Sequence, residues 1–262
     1  MEVMVDSHLH SHHSGDATGS IDEFCQQALK VGVTDLYFTE HLDYDLEEGR
    51  MRLPFDPEAY FAELEAARKR YQDRLKLYAG LEAGDPHYYP EDYRALIGEY
   101  DFDLIIASAH MMDGYFVGDQ EFLAERTLRE IFDQYFQSIR EMLSEPHFDV
   151  LGHLDFPQRY LQGAKDYNWS LLEDILSRTV EKGLGIEINT SALRKGCKEP
   201  CPGEEILRFY YRLGGRIVIV GSDAHRPQEL GSDIDRALDL MREVGFSQWY
   251  QYIEGHPHAL PL

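Results

Sequence analysis

The sequence predicts an α/β fold in which parallel strands alternate with helices and close into a barrel. Short apolar runs, of the length of buried strands, recur along the chain. Amphipathic helical patterns lie between these runs, as in consecutive βαβ units. The length of 262 residues suits one barrel domain spanning residues 1–262, since single α/β barrels reach about 250 residues. An open, doubly wound sheet is the alternative architecture.

Seven apolar runs are the strand candidates. Their continuous apolar character is typical of parallel strands that are buried on both faces. Seven such runs predict a barrel that is one unit short of the eight-stranded TIM barrel. The runs are Val3–Val5, Leu36–Phe38, Leu75–Ala79, Leu104–Ala107, Phe148–Leu151, Gly185–Ile188 and Ile217–Val220.

Helical patterns fill the intervals between the strand candidates. The first begins at Ser20-Ile21-Asp22-Glu23, which matches a capping box, and runs to Val31 with Gly32 as its stop. The others show apolar residues at helical spacing with charged residues between them. These helices are predicted over Pro57–Tyr71, Glu121–Leu143, Ser170–Lys182, Glu204–Leu213 and Leu230–Val244.

The chain is strongly acidic, with 48 Asp and Glu residues against 25 Lys and Arg residues and a formal net charge of -23. Such a surface repels a phosphate backbone, so long nucleic acid is not an expected partner. A single local phosphate site is still compatible with this charge, because bound metals or a few arginines can override the global field.

The sequence also indicates where the protein resides. Three cysteines are too few for a disulfide framework, and an odd number fits a reducing compartment. The first residues, MEVMVDSHLH, lack the basic region of a signal peptide. No apolar run approaches the roughly 18 residues that a membrane span needs. We therefore expect a cytoplasmic protein without a membrane partner, and the oligomeric state is left open.

Each strand candidate is followed by a His, Asp, Glu or Asn residue. In a parallel barrel the carboxyl ends of the strands form one face, where the active site is built. The polar residues should therefore meet in space although they are distant in sequence. They are His8 and His10, His41, Glu82, His110, His153, Asn189, and Asp223 with His225.

This set of residue types indicates a metal centre. The His8-Leu9-His10 pair on a strand places both imidazoles on one side, because strand side chains alternate with period two. A carboxylate such as Glu82 has two oxygens and is able to bridge two cations. Mixed imidazole and carboxylate ligands suit zinc, iron or manganese. One such residue alone would be explained as a buried structural group, but seven polar strand ends together favour metal binding.

The motifs resemble the PHP superfamily (polymerase and histidinol phosphatase), over almost the whole chain. The resemblance runs from Asp6-Ser7-His8-Leu9-His10 to Gly221-Ser222-Asp223-Ala224-His225. Two further stretches, 152–160 (GHLDFPQRY) and 187–196 (EINTSALRKG), resemble the histidinol-phosphate phosphatase branch. The resemblance implies a distorted (β/α)7 TIM-like barrel with the metal site at the carboxyl ends of the strands.

The resemblance further implies two to three divalent metal ions, zinc, manganese or iron. Many relatives use histidine as the last ligand of the third ion, whereas Ser14-Gly15-Asp16-Ala17 offers Asp16 here. The implied ligands are His8, His10, Glu82 and Asp223 for the first ion, Glu82, His110 and His153 for the second, and His41, His225 and Asp16 for the third.

The activity implied by the resemblance is hydrolysis of L-histidinol phosphate to L-histidinol and phosphate, a step of histidine biosynthesis. A metal-bridging hydroxide would attack the phosphorus. Glu82, Asp223 and His225 are the expected catalytic residues. The expected phosphate-binding residues are Arg159, Arg194 and Lys195.

Three questions stay open at this level. The proton donor for the leaving alcohol is Asp43, Asp155 or a metal-bound water. The substrate is alternatively a nucleotide or a short oligonucleotide, although the chain lacks a basic, aromatic-lined groove. A non-catalytic metal-binding module is a third alternative, which the full set of ligand types disfavours.

Overall fold

The computed structural model describes residues 4–45, 50–51, 55–144 and 147–262. Seven parallel strands form one sheet in the order of the chain. Every strand therefore pairs with its sequence neighbour, as expected for consecutive βαβ units. The strands are β1 (Val5–Leu9), β2 (Asp35–Leu42), β3 (Lys76–Gly84), β4 (Leu104–Ser108), β5 (Val150–Leu151), β6 (Gly185–Asn189) and β7 (Val218–Gly221).

The sheet closes between its first and last strands. Leu9 forms a parallel bridge with Ala224, which lies just beyond β7. His10 N donates to Ala224 O at 2.9 Å, and Asp223 N donates to His8 O at 2.8 Å. These contacts join the two edges, so the predicted barrel is confirmed and the open-sheet alternative is wrong.

Helices connect the strands on the outside of the barrel. In the described ranges, none of them combines the length and apolar character that crossing a membrane requires. They are α1 (Ile21–Val31), α2 (Pro57–Tyr71), α3 (Pro90–Glu99), α4 (Gln120–Ala124), α5 (Leu128–Met142), α6 (Trp169–Glu181), α7 (Ser191–Arg194), α8 (Glu204–Arg212) and α9 (Ile234–Val244).

The predicted start and end of α1 are both confirmed. Glu23 N donates to Ser20 Oγ at 3.2 Å, and Ser20 N donates to Glu23 Oε2 at 2.8 Å, which completes the capping box. Gly32 ends the helix with a φ of 84°, a conformation that glycine adopts without the steric cost of a Cβ. Local sequence therefore sets both bounds of this helix.

Two helix predictions are wrong in detail. The helix expected from Leu230 begins at Ile234, and a longer one is interrupted. The single helix expected over Glu121–Leu143 is divided into α4 and α5. Thr127 starts α5 with its own capping box, in which Thr127 N donates to Glu130 Oε2 at 2.8 Å. Because these side chains bond the backbone locally, they favour a helix start over continuation of the preceding helix.

The first strand also differs from its prediction. Val3 of the Val3–Val5 candidate lies outside the described residues, and β1 runs from Val5 through the polar Asp6-Ser7-His8 to Leu9. These polar residues are buried, because the strand end is part of the site at the barrel opening. Asp6 Oδ1 accepts from Ser222 N at 2.8 Å, which ties β1 to the end of β7.

A carboxyl-terminal hairpin covers the opposite end of the barrel. It is formed by β8 (Gln248–Ile253) and β9 (His256–Pro261), which pair antiparallel. Tyr37, near the start of β2, donates its hydroxyl to Tyr252 O at 2.5 Å and stacks on Tyr78 of β3. The hairpin therefore closes the amino ends of the strands, and the carboxyl ends are left for the cavity.

Candidate metal centre

Imidazole and carboxylate groups converge at the carboxyl ends of the strands. They come from the ends of six strands or the residues shortly after them, and Asp16 comes from the loop that follows β1. All except the half-buried His225 and the exposed Asp16 are buried. The strand ends predicted this meeting for all of them except Asp16, which only the family resemblance implied. The groups belong to His8, His10, Asp16, His41, Glu82, His110, His153, Asp223 and His225.

The first part of the cluster surrounds the pair on β1. His8 Nε2 and His10 Nε2 lie only 3.0 Å apart. Glu82 Oε2 lies 3.2 Å from His8 Nε2 and 3.5 Å from His10 Nε2. Asp223 Oδ1 is 3.4 Å from His10 Nε2 and 3.9 Å from His8 Nε2. Two ring nitrogens and two carboxylate oxygens therefore face one point, as ligands of a shared cation would.

Glu82 lies between two groups of imidazoles. Its Oε1 is 3.4 Å from His110 Nε2 and 3.0 Å from His153 Nε2. Its Oε2, which faces the β1 pair, is also 3.1 Å from His41 Nδ1. The ligand-type atoms of Glu82, His110 and His153 all lie within 4.8 Å of one another. Each carboxylate oxygen of Glu82 therefore faces a different group of imidazoles, which is the geometry of a ligand that bridges two cations.

A third group lies on the solvent side of the cluster. Asp16 Oδ2 is 3.3 Å from His225 Nε2 and 3.7 Å from His41 Nε2. The side chain of Asp16 is 47% exposed, so this position is open to water. The ligand-type atoms of His10, His41 and His225 also lie within 4.8 Å of one another. The structure thus brings Asp16 to the two histidines with which the family resemblance grouped it.

Carboxylates of the protein hold the second ring nitrogen of two of these histidines, the nitrogen that faces away from Glu82. His8 Nδ1 lies 2.6 Å from Glu187 Oε1, and His110 Nδ1 lies 2.8 Å from Asp43 Oδ1. In metal sites, a carboxylate of this kind typically fixes the ring orientation and tautomer, and leaves the other nitrogen for the metal. The donor set and its orientation therefore fit divalent metal ions of the zinc, iron and manganese type.

The electrostatics of the cluster favour positive charge. Burial lowers the pKa of His110, but Asp43 and Glu82 outweigh it and raise that pKa to about 10. Burial raises the pKa of Glu82, but the charges of His8 and His110 hold it well below its usual range. The buried carboxylates thus stabilise cations beside them, whether the cation is a proton or a metal ion.

The pKa of His10 is shifted in the opposite direction to that of His110. Burial and the neighbouring charges of His41 and His225 lower the pKa of His10 to about 3. Its imidazole is therefore neutral at physiological pH. A neutral imidazole has the free lone pair that ligation requires.

A cavity of about 250 Å³ opens beside the cluster and is of a size for a small molecule. Arg159 lines it, and its Nη1 donates to Ser191 Oγ at 3.1 Å and to Asp223 Oδ2 at 3.2 Å. Among the described residues its buried Nε meets no hydrogen-bond acceptor. This guanidinium therefore has one N–H group without an acceptor in the described part of the chain. The wall also carries the aromatic rings of Phe116, Phe156 and Tyr160.

The two other phosphate-binding candidates lie outside this cavity lining. Arg194 Nη2 donates to Ser222 O at 2.7 Å and to Asp223 O at 3.1 Å, and so holds the backbone at the end of β7. Lys195 is exposed. Arg194 ends the short helix α7 and Lys195 follows it, a turn that residue spacing does not reveal.

The two protein candidates for proton donation are placed differently. Asp43 lines the cavity, and although burial raises its pKa, the charge and hydrogen bond of His110 hold that pKa below its usual range. Asp155 is buried outside the lining, where it accepts from Tyr167 Oη at 2.7 Å and from Gly203 N at 3.1 Å. Asp43 is thus the candidate that faces the cavity, and Asp155 is a structural group.

Sequence reasoning missed the supporting role of Glu40. This buried carboxylate accepts from Ser11 Oγ at 2.6 Å and from Ser14 Oγ at 2.5 Å. Ser14 Oγ also accepts from His41 N at 3.0 Å and lies 3.3 Å from His10 Nδ1. The sequence signal that could have identified Glu40 is its position next to a ligand-type histidine on a buried strand.

Known proteins share both the sequence pattern and the architecture of this chain. The pattern that defines the PHP domain matches residues 6–191. The chain belongs to the PHP domain family. This PHP-domain chain is 34% identical over 253 residues to a probable histidinol-phosphatase of Deinococcus radiodurans, over 94% of this chain and 95% of that protein. A probable histidinol-phosphatase of Thermotoga maritima is 29% identical, over 96% of both chains.

A solved structure shows the same PHP architecture. It is the crystal structure of histidinol phosphate phosphatase from Lactococcus lactis subsp. lactis, complexed with zinc, L-histidinol and phosphate. The TM-score is 0.86 at 26% sequence identity, over 97% of this chain and 98% of that one. The likeness extends over the whole barrel rather than over the metal-binding motifs alone.

Proposed function

We propose that this PHP-domain protein is a metal-dependent phosphomonoesterase that hydrolyses L-histidinol phosphate to L-histidinol and phosphate. The observation that carries the activity is the convergence of imidazoles and carboxylates around Glu82, beside a cavity lined by Arg159. The substrate is supported by the likeness, over nearly the full chain, to a structure complexed with zinc, L-histidinol and phosphate. This reaction is a step of histidine biosynthesis. The free, buried cysteines suit a cytoplasmic location, because a reducing compartment keeps thiols unpaired.

We assign the ligand roles to the three groups of the cluster. When bound, two or three divalent cations lower the pKa of water to near neutrality and offset the negative charge of the phosphate oxygens. Zinc, manganese and iron all suit this donor set. The assigned ligands are His8, His10, Glu82 and Asp223 for one ion, Glu82, His110 and His153 for a second, and His41, His225 and Asp16 for a third.

The protein's own contribution is to bind and orient the phosphoester. Arg159 is assigned to the phosphate, because a guanidinium donates to phosphate oxygens in a fixed geometry and this one lines the cavity beside the cluster. Asp223 and Ser191 hold its Nη1 in place. The aromatic wall suits the imidazole ring of the alcohol, since aromatic rings pack favourably on one another.

The reaction balances without a covalent intermediate on the protein. The oxygen of water forms a bond to phosphorus, the ester P–O bond breaks, and the alkoxide takes up one proton while the water gives up one. Asp43 lines the cavity and is therefore placed to exchange a proton with the bound phosphoester. Since Asp155 lies outside the cavity lining, we assign the proton of the leaving alcohol to Asp43 or to water held in the site.

The substrate assignment is tested by comparing rates of phosphate release. Metal-loaded protein is assayed with L-histidinol phosphate, with nucleoside 3′- and 5′-monophosphates and with a short oligonucleotide. We expect kcat/KM for L-histidinol phosphate to exceed that for every nucleotide. Turnover of nucleotides with none of L-histidinol phosphate would overturn the substrate, and an absence of all phosphate release would overturn the activity.

A further inference from the structure

A second cluster of ligand-type side chains lies beside the loop that follows β1. His12 and His13 come from this loop, and Glu63 comes from α2. Glu63 Oε2 is 3.3 Å from His12 Nε2 and 2.9 Å from His13 Nε2. The three ligand-type atoms all lie within 4.8 Å of one another. Two imidazoles thus direct the same ring nitrogen at a single carboxylate oxygen.

Two of these three side chains are held in position. Glu63 Oε1 accepts from Ile21 N at 3.0 Å at the start of α1, so Oε2 is the oxygen that is left for the histidines. The His13 side chain is only 9% exposed and packs edge-on against Tyr60. His12 is 46% exposed and is the adjustable member, although its N donates to Gly19 O at 2.9 Å.

The geometry is close to that of a metal site. Zinc bonds to imidazole nitrogen and carboxylate oxygen are about 2.0–2.2 Å long, so tetrahedral ligand atoms lie about 3.3 Å apart. The two separations from Glu63 Oε2, 2.9 and 3.3 Å, need little adjustment to reach that value. Two histidines and one carboxylate form a common three-ligand set, which leaves further coordination positions for water.

We propose that His12, His13 and Glu63 form an accessory site for one zinc-type divalent ion, separate from the metal centre at the strand ends. The ion would join the loop after β1 to α2, and through Glu63 to the start of α1. The same loop carries Asp16. Binding at this site does not depend on the proposed phosphatase activity.

The test measures zinc bound per chain in the full-length protein. Protein whose centre has been loaded with zinc is equilibrated with added zinc over a range of concentrations, and bound zinc is determined by elemental analysis. We expect His12→Gln to bind one equivalent fewer than the parent protein. Because His12 is half exposed, this change should not affect folding, and Glu63→Gln should show the same loss.

The matched control is His258→Gln, since His258 is an exposed histidine on β9. We expect it to bind as much zinc as the parent protein. Equal binding by the parent, His12→Gln and Glu63→Gln would overturn the proposal. So would a loss of more than one equivalent in His12→Gln, or the same loss in the control, because the missing ion would then belong to another site.

Discussion

His8 Nδ1 lies 2.6 Å from Glu187 Oε1, so a carboxylate on β6 fixes a ring on β1. Glu187 Oε2 also accepts from His153 N at 3.0 Å, just after β5. Asn189 Nδ2 lies within 3.4 Å of both of its oxygens. One buried carboxylate therefore orients two parts of the cluster, without facing the cavity itself.

Glu187→Gln should weaken metal binding. An amide cannot hold the His8 ring as a carboxylate does, and losing such a partner typically costs 10–100-fold in metal affinity. Competition with a chelator measures the affinity directly, and kcat at saturating metal is measured in parallel. Glu181→Gln, an exposed change at the end of α6, is the control. Equal chelator resistance in both variants would show that Glu187 has no orienting role.

Glu82→Ala should remove most of the activity. Glu82 contacts imidazoles on both sides of the cluster, so its loss should lower kcat by at least about 10²–10³-fold. Bound metal per chain should fall at the same time. The control is Glu99→Ala, at the exposed end of α3.

The fold of the Glu82 variant is checked by circular dichroism. Replacing Glu82 by Gln retains the size of the side chain, and serves if the Ala variant fails to fold. Phosphate release at the parental rate in a folded variant would contradict a centre built around this carboxylate.

Arg159→Ala should lower kcat/KM for the phosphoester. A hydrogen bond to a charged group contributes about 1.5–3 kcal/mol, which corresponds to a loss of about 10- to 150-fold. Arg159→Lys should recover only part of it, because an ammonium lacks the planar fork. Arg242→Ala, a change of an exposed arginine on α9, is the control. A phosphate contact is refuted if the inhibition constant of free phosphate is the same for Arg159→Ala and the parent.

Asp149 should make stability depend on pH. Burial raises the pKa of this carboxyl to about 7, although the hydrogen bond from Ile105 N opposes the shift. Between about pH 4 and 7 the folded state holds a proton that the unfolded state has lost. The free energy of unfolding therefore falls as pH rises through this window.

Asp149→Asn should remove that part of the pH dependence, because the amide stays neutral and its oxygen still accepts from Ile105 N. Relative to the parent, the free energy of unfolding of the variant should rise by on the order of 4 kcal/mol between pH 4 and pH 8. Urea unfolding at a series of pH values measures the difference. The exposed change Asp73→Asn is the control, and parallel curves for Asp149→Asn and the parent would contradict the predicted burial effect.

The barrel and the meeting of the cluster were predictable because they follow from local patterns and one topological rule. Apolar runs located the strands, and parallel strands place their carboxyl ends on one face. His8 and Asp223 could therefore be grouped although they lie at opposite ends of the chain. The capping box at Ser20 was equally predictable, because its hydrogen bonds join residues only three positions apart.

The missed features depend on contacts that spacing does not encode. The break before Thr127 depends on which of two local hydrogen-bond patterns prevails. Arg194 follows a polar strand end as Arg159 does, yet a short helix directs it to the backbone of β7. The carboxyl-terminal hairpin has two histidines and two prolines in its mostly exposed strand β9, so no apolar run marks that strand. It is held in part by tyrosine hydroxyl contacts such as that of Tyr37.

The bridge between Leu9 and Ala224 has a consequence for the order of events during synthesis. The cluster needs side chains from both edges of the closed barrel, 215 residues apart along the chain from His8 to Asp223. A ribosome that has made only the first six strands therefore holds an incomplete set of ligands. Native metal uptake should begin only after the last strand has left the exit tunnel, so stable metal retention would report a finished fold.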